Sequence, residues 1–362
     1  MTELSDTEKV QRYEQDTELA RYSRQMLFDP IGEEGQRKLL QARVALIGCG
    51  GLGTMLASLL VRAGVGYLRI IDRDFIELSN LQRQALFDED DLAANLPKAE
   101  AARRKLQRIN TSVQVEAVVK EVHHRNIEGL CVEADLLLDG TDNFDTRFLI
   151  NDLAVKTRRP WVYGAAVAAT GLSMPIIPYE TPCLRCLLEQ IPPRSMNPTC
   201  NTAGVLAPVV SLVASHQAIE VLKILTGRFQ AVDRRLWRMD AWNNCVSQIE
   251  VRKTYDEGDC ICCKQQRFEY LEGQAGASSL ELGERNAVHL PPTEELTIDF
   301  PVIAERLRIE GCEVVFNPFL LRARIEPHEL VLFPDGRAVV NGTGQRAEAE
   351  ALYTRYIGPV DV

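Results

Sequence analysis

At 362 residues the chain exceeds what one ordinary hydrophobic core accommodates, which predicts two domains or one large domain with an appendage. A composition of 46% hydrophobic and 25% charged residues is ordinary for a soluble globular protein. Acidic residues outnumber basic ones, 51 to 41, and the net charge of −10 argues against nonspecific nucleic-acid binding, which needs a basic face to displace phosphate counterions.

Residues 1–40 read as polar and helical, ending in Arg21-Tyr22-Ser23-Arg24-Gln25, and the first nineteen hold no apolar core of a secretory signal. Arg43–Ile47 is a short apolar run that meets Gly48-Cys49-Gly50-Gly51-Leu52-Gly53. A helical pattern over Thr54–Ala63 follows, then a second apolar run, Tyr67–Ile71, ending at Asp72. Strand, glycine turn, helix, strand and acid is the order of a dinucleotide-binding βαβ unit. The alternation continues through a helix over Lys98–Ile109 and a strand over Val113–Val118. A buried strand over Ala134–Leu138 then leads into Asp139-Gly140-Thr141-Asp142-Asn143. An α/β fold with a Rossmann-like, mostly parallel sheet follows from this order.

Beyond residue 160, Trp161–Ala169 and Leu172–Ile177, separated by Thr170-Gly171, predict antiparallel strands added to one edge. A long helix is expected over Ala203–Thr226, closed by Gly227. It carries Ser211, Ser215, His216, Gln217, Glu220 and Lys223, so it reads as amphipathic or buried rather than membrane-spanning. A cytoplasmic protein is expected. Composition divides the chain into a main domain over 1–267, a Glu/Gly/Ser-rich linker over 268–279 and a small α/β extension over 280–362. In the extension, Pro334-Asp335-Gly336 between Leu330–Phe333 and Arg337–Val340 is a hairpin signature.

Glycines 48, 50 and 53 let the backbone turn tightly and let a phosphate approach the next helix N-terminus, whether of NAD, FAD, SAM or ATP. Asp72 stands where a carboxylate accepts ribose hydroxyls. Hydride transfer has no use for Arg83, Lys98 and Asp142 converging on phosphates, whereas phosphoryl-type chemistry does. An NAD-dependent oxidoreductase would leave those three unexplained, and a non-catalytic binding scaffold would not need them together.

Ten cysteines in a cytosolic chain point to metal binding or catalysis before disulfides. Cys183-x-x-Cys186 and Cys260-x-x-Cys263 are two knuckles whose four thiolates would satisfy a closed tetrahedral zinc, with Cys262 as an extra thiol. Cys200 precedes a helix, where the dipole is expected to lower its pKa.

These motifs together resemble the ThiF/MoeB/HesA family, relatives of the ubiquitin-activating enzymes. The resemblance runs from about Arg21 to Lys264. It includes Arg-Tyr-Ser-Arg-Gln at 21–25, the glycine loop, Asn-Leu-Gln-Arg-Gln at 80–84, Leu-Pro-Lys-Ala at 96–99, Thr-Asp-Asn at 141–143 and Cys-Asn-Thr-Ala-Gly-Val at 200–205. It implies ATP-dependent adenylation of the C-terminal Gly-Gly carboxylate of a ubiquitin-like sulfur-carrier protein. Asp72 and Asn80 would hold the ribose, and Arg83 and Lys98 the triphosphate. Gly48, Gly50, Gly51, Gly53, Gln84 and Asn143 would complete the nucleotide site, and Asp142 would hold magnesium. Arg24 would reach in from a second subunit, which implies a homodimer, and in some members the cysteine matching Cys200 joins the carrier during sulfur transfer. The split cysteine pairs would hold structural zinc.

The extension is similar to that of Bacillus-type ThiF proteins, in Arg285-Asn286-Ala287-Val288, Asn317-Pro318-Phe319-Leu320-Leu321 and Leu352-Tyr353 to Gly358, although Gly283 stands where relatives carry a cysteine. This favours a ThiS-type carrier of thiamine thiazole biosynthesis, with a MoaD-type carrier of molybdopterin biosynthesis as the alternative. A sulfur donor such as a cysteine desulfurase is a further expected partner. An α-carboxylate, with a pKa of about 3.5, is already ionised at neutral pH, so the reaction needs no general base. It needs positioning and relief of anion repulsion.

Overall fold

A computed structural model of the protein describes residues 18–192, 199–275, 287–290 and 298–358. The expected helical character of 1–17, the Arg285-Asn286 motif, Gly283 and linker residues 276–279 lie outside these. The chain divides into two compact units, Met1–Ala275 and Gly276–Val362.

The first unit is built on an eight-stranded sheet of order β3-β2-β1-β4-β5-β6-β7-β8. Its strands are β1 (Arg43–Ile47), β2 (Tyr67–Ile71), β3 (Gln114–Val118), β4 (Leu136–Asp139), β5 (Trp161–Val167), β6 (Thr170–Ile176), β7 (Leu236–Asp240) and β8 (Cys245–Ile249). β3, β2, β1, β4 and β5 are mutually parallel, and β6 to β8 add antiparallel strands to the β5 edge. Five helices matter here: α1 (Gly32–Gln41), α2 (Gly51–Ala63), α3 (Lys98–Ile109), α4 (Phe144–Thr157) and α5 (Ala207–Leu225). The central parallel strands β1, β2 and β4 are largely apolar and buried, as a sheet covered on both faces requires; Leu136, Leu137 and Leu138 are fully buried. Along β5, Trp161 and Tyr163 pack with Phe148 and Leu149 of α4, while the alternate Gly164 faces Gln217 of α5.

Three local expectations are corrected. Helix α2 starts at Gly51 rather than Thr54, because Gly50 itself makes the turn and the glycines enter the first helical turn. The β5–β6 turn falls at Ala168-Ala169, two residues before the expected Thr170-Gly171. Gly171 instead lies within β6, where a Cβ would overlap Val213 of α5, so close helix packing and not turning selects it. The single helix expected over 203–226 is broken. A four-residue turn, Cys200–Ala203, is followed by Gly204 at φ 73°, and α5 begins at Ala207 with Pro208 in its first turn. The break is held by the sheet: Ala168 N–H donates to Gly204 O (2.8 Å) and Leu206 N–H to Ala168 O (3.0 Å). Among the described residues α5 is the one helix long and apolar enough to cross a membrane; half of that stretch is buried, and it packs on α2, β5 and β6.

The segment read as the start of a linker, 268–275, belongs to the first unit. Leu271 is buried in the core cluster, with Phe268 and Tyr270 packed beside it, and Asp152 Oδ2 accepts the Tyr270 N–H at 2.9 Å. Aromatic anchors at 268 and 270 outweigh the Glu/Gly composition around them.

The second unit is a five-stranded antiparallel sheet of order β10-β11-β12-β13-β9, from β9 (Ala287–Leu290), β10 (Glu313–Phe316), β11 (Leu321–Ile325), β12 (His328–Leu332) and β13 (Ala338–Asn341). The expected hairpin through 334–336 joins β12 to β13. Helices α6 (Phe300–Ile309) and α7 (Arg346–Tyr356) bury Phe300, Leu307, Tyr353 and Tyr356 against Leu321, Leu330, Leu332 and Val340.

Leu271→Ala is expected to lower stability by about 2–4 kcal/mol, read as a shift in denaturant midpoint at unchanged slope. A loss below about 0.5 kcal/mol, the range of surface substitutions, would remove 268–275 from the core.

Candidate nucleotide-binding and metal sites

The carboxyl ends of β2, β1 and β4 are level: Ile47 pairs with Ile71 on one side and Asp139 on the other. Strand order reverses here, and doubly wound sheets hold ligands in the crevice at such a point. Gly48 leaves β1 at φ 91°, its N–H donating to Ile71 O (2.9 Å), and Gly140 leaves β4 with its N–H donating to Ile47 O (2.8 Å). A Cβ on Gly48 would stand 2.7 Å from the Gly140 carbonyl, and one on Gly53 or Gly140 would overlap the Gly48 carbonyl oxygen. The two turns therefore touch backbone to backbone. Gly140 is a third required glycine that the motif spacing does not reveal, since it lies far along the chain. Gly50 and Gly51 open α2, with a Cβ on Gly51 falling against Val210 and near Arg83.

Asp72 follows β2. Its Oδ2 accepts the Cys49 N–H (2.6 Å) and its Oδ1 the Asp74 N–H (2.7 Å), which leaves lone pairs on both oxygens for other donors. Burial, and then the charge of Asp74, push its pKa up to about 6. Lys98 opens α3, is 7% exposed and places Nζ 3.0 Å from Asp74 Oδ2. Burial opposes its charge, but Asp74 and Asp72 outweigh burial and the ammonium is held firmly protonated. Asp74, not singled out in the sequence, is thus its partner. Asn80 is buried and shapes its own turn, Oδ1 accepting the Glu77 N–H at 3.3 Å. Arg83 Nη1 donates to Ser79 O at 3.0 Å. Gln84 is 3% exposed beside Gly50, and its buried Oε1 has no hydrogen-bond partner among the described residues.

Asp142 is exposed on the β4 turn and acts electrostatically on both Lys98 and Cys200. Asn143 caps α4, Oδ1 accepting the Thr146 N–H at 2.9 Å, so that oxygen is committed to the helix. Under this turn lie Asp139 and Arg147, a buried pair at 3.0 Å, with Gln217 above them. Sequence reading missed all three. The available signals were an Arg one turn beyond the cap and a Gln inside an apolar helix. Cys200 places Sγ 3.6 Å from Ala166 O. Burial, and then Asp142, raise its pKa against the pull of Arg83 and Arg147. The expected lowering is overturned, because the helix it opens is only four residues long and carries little dipole. Arg24 is exposed on the short helix Ser23–Met26 and is not among the groups gathered at this crevice.

Away from the crevice, the Sγ atoms of Cys183, Cys186, Cys260 and Cys263 lie within 4.8 Å of one another. Cys183 and Cys260 are 3.6 Å apart, Cys186 and Cys263 3.4 Å, and Cys183 and Cys186 3.8 Å. Four mutually near thiols suit a metal ion, which would cross-link the segment after β6 to the end of the unit. Cys262 is not one of these four; its Sγ accepts from Asn151 Nδ2 at 3.3 Å.

The fold and crevice are those of a nucleotide-binding protein of the doubly wound α/β class. Residues 22–262 match the ThiF family, and the chain belongs to it. It is 42% identical over 338 residues to the sulfur carrier protein ThiS adenylyltransferase of Bacillus subtilis (strain 168), covering 93% of this chain and 99% of that one. It is 35% identical over 246 residues to the adenylyltransferase and sulfurtransferase MOCS3 of Culex quinquefasciatus, covering 68% of this chain and 55% of that relative. Among solved structures, Escherichia coli MccB with ATP aligns with a TM-score of 0.55 at 25% identity, over 66% of this chain and 73% of that one.

A ribose hydroxyl donates best to an ionised carboxylate, and Asp72, with a pKa raised to about 6, is largely ionised at pH 7 and largely protonated at pH 5. ATP affinity is therefore expected to fall as pH drops through 6, with the dependence lost in Asp72→Asn. Isothermal calorimetry between pH 5 and 7.5 checks this, and a flat wild-type profile would remove Asp72 from the ribose site.

Proposed function

We propose that this protein adenylates the C-terminal Gly-Gly carboxylate of a ubiquitin-like sulfur carrier of the ThiS type, with magnesium-ATP as the other substrate. One observation carries the reading: the glycine turn, Asp72, Lys98 and Asp142 meet at the level carboxyl ends of three strands. First-turn N–H groups of α2 and the Lys98 ammonium would receive the triphosphate, and Asp72 the ribose. Lys98 would exchange Asp74 for phosphate oxygens when ATP enters. Asp142 would hold magnesium, whose charge offsets repulsion between the carrier carboxylate and the triphosphate. Attack of the carboxylate oxygen on the α-phosphorus forms the acyl-phosphate bond as the bond to pyrophosphate breaks, and no proton need move. The ThiS assignment is supported by the Bacillus subtilis relative, whose likeness extends over 93% of this chain and so into the second unit. The MOCS3 relative keeps a MoaD-type carrier as the second reading.

A homodimer fits Arg24. The adjacent Gln25, with Leu59, Leu60, Ala218, Ile219 and Leu222, lines an apolar groove of about 340 Å³ between α2 and α5. A second copy seated there would carry its own Arg24 across the interface. The four cysteines fit zinc, since Zn–S bonds of about 2.3 Å set sulfur–sulfur edges of about 3.8 Å in a tetrahedron. Their role is structural, as four protein ligands leave no open position. The protein is placed in the cytoplasm, where carrier, ATP and a sulfur donor such as a cysteine desulfurase would meet, and Cys200 lies near Asp142 for a later transfer step.

ATP–pyrophosphate exchange is expected with a ThiS-type carrier, to vanish when the carrier's last two glycines are removed, and to be lost in Asp142→Ala without loss of fold. Exchange indifferent to the tail, or full activity in Asp142→Ala, would sink the reading. Elemental analysis is expected to find about one zinc per chain, lost in Cys263→Ser together with a lower melting temperature. An unchanged melting temperature in the metal-free protein would deny the cluster its structural role.

A further inference from the structure

Beneath the crevice lies a polar network none of whose side chains has a role in the adenylation chemistry proposed above. Asp139 ends β4 fully buried, and Arg147, one turn into α4, is 5% exposed. The Asp139 carboxylate accepts from four donors: Arg147 Nε (3.0 Å) and Gly164 N–H (3.3 Å) at Oδ2, Thr141 N–H (2.9 Å) and Thr141 Oγ1 (2.7 Å) at Oδ1. Arg147 Nη2 donates onward to Thr141 O (2.7 Å) and Gly164 O (2.9 Å). From the opposite layer, Gln217 Nε2 donates to Asp139 O at 2.9 Å and Val162 O at 3.2 Å. A Cβ at Gly164 would stand 2.3 Å from the Gln217 amide and displace it from these carbonyls. The rings of Phe144 and Tyr163 flank the guanidinium at 5.4 and 5.3 Å.

Stability alone does not call for this arrangement. Two buried charges lose hydration that their attraction only roughly offsets, and a well-packed apolar pair of similar volume is often as stable. What an apolar pair cannot supply is direction. The Thr141 carbonyl belongs to the peptide bond that joins Thr141 to Asp142, so Nη2 holds the plane of that peptide. The Thr141 N–H and hydroxyl are fixed by Asp139 on one side of Asp142, and Asn143 is fixed as the α4 cap on the other. Asp142 is exposed, yet the backbone on both sides of it is pinned from below.

We propose that Arg147, paired with Asp139, is a positioning residue for adenylation. It acts through the Thr141–Asp142 peptide and holds the Asp142 carboxylate in one place relative to Lys98 and the glycine turn. The inference rests on the reading that Asp142 serves the metal-nucleotide. Lysine does not substitute, because a single ammonium cannot reach Asp139, Thr141 O and Gly164 O in the planar fork that a guanidinium presents.

Arg147→Lys and the charge-free double variant Asp139→Asn/Arg147→Met are compared with the wild-type chain. Three quantities are measured: pyrophosphate exchange against magnesium concentration, calorimetric affinity for a non-hydrolysable ATP analogue with and without Mg²⁺, and the melting temperature. Both variants are expected to lose about 100-fold in kcat, the scale of an ångström misplacement. The magnesium needed for half-maximal rate should rise while the KM for carrier stays unchanged. Affinity for the metal-free analogue should equal wild type, and only its enhancement by Mg²⁺ should shrink. The double variant, with no charge left unpaired, guards against simple unfolding of Arg147→Lys. A folded variant with wild-type kcat and magnesium dependence would overturn the positioning role, as would a rate loss that tracks only the unfolded fraction. If the wild type itself shows no exchange, the function reading fails separately. The analogue arm then decides: equal enhancement by Mg²⁺ in wild type and variants overturns the inference, and loss confined to the variants supports it.

Discussion

The contact of the β1 turn with the β4 turn is the constraint on which the site depends. Gly48, Gly53 and Gly140 bring backbone against backbone with no room for a Cβ. That approach places the first turn of α2 and the turn bearing Asp142 across one narrow crevice. The parallel register does the rest, since Ile71, Ile47 and Asp139 end level and the residues after them emerge side by side. A side chain on any of the three glycines would force the two turns apart and separate the groups gathered at the crevice.

Within this frame the charges are arranged before any ligand arrives. Asp72, Asp74 and Lys98 form a compact set in which the lysine stays charged despite burial and Asp72 is hard to ionise. An anionic triphosphate entering such a site meets a cation already desolvated, so little reorganisation is needed as the reaction proceeds. Hydrogen bonds to Asp72 come from the backbone of the glycine turn and of Asp74, so Asp72 and the glycine turn are held to each other. The Asp139–Arg147 pair performs the same service for the β4 turn from the layer below.

The cysteine cluster works at a different level. It brings Cys183 and Cys186, after β6, together with Cys260 and Cys263 near the end of the unit. The tail beyond it, through Leu271, then packs on α4. A metal bound by these four thiols would cross-link the unit here, away from the crevice.

Much of this was legible in the chain itself. Short apolar runs marked β1, β2 and β4 because a sheet covered on both faces leaves their side chains no other environment. The glycine loop, Asp72, Lys98, Asp142 and the two cysteine knuckles announced themselves because their chemistry demands particular residue types at short spacing. Other features depend on contacts between distant segments. Gly140 and Gly171 are glycines because of what another element places against them, the 203–226 helix breaks because Gly204 and Leu206 pair with Ala168, and Glu/Gly-rich 268–275 is ordered by Asp152. Local sequence determined the elements and the reactive groups. Only tertiary structure decided which carboxylate faces Lys98, that burial lifts rather than lowers the Cys200 pKa, and that Arg147 lies beneath Asp142, because burial and partner distance are properties of the packed chain.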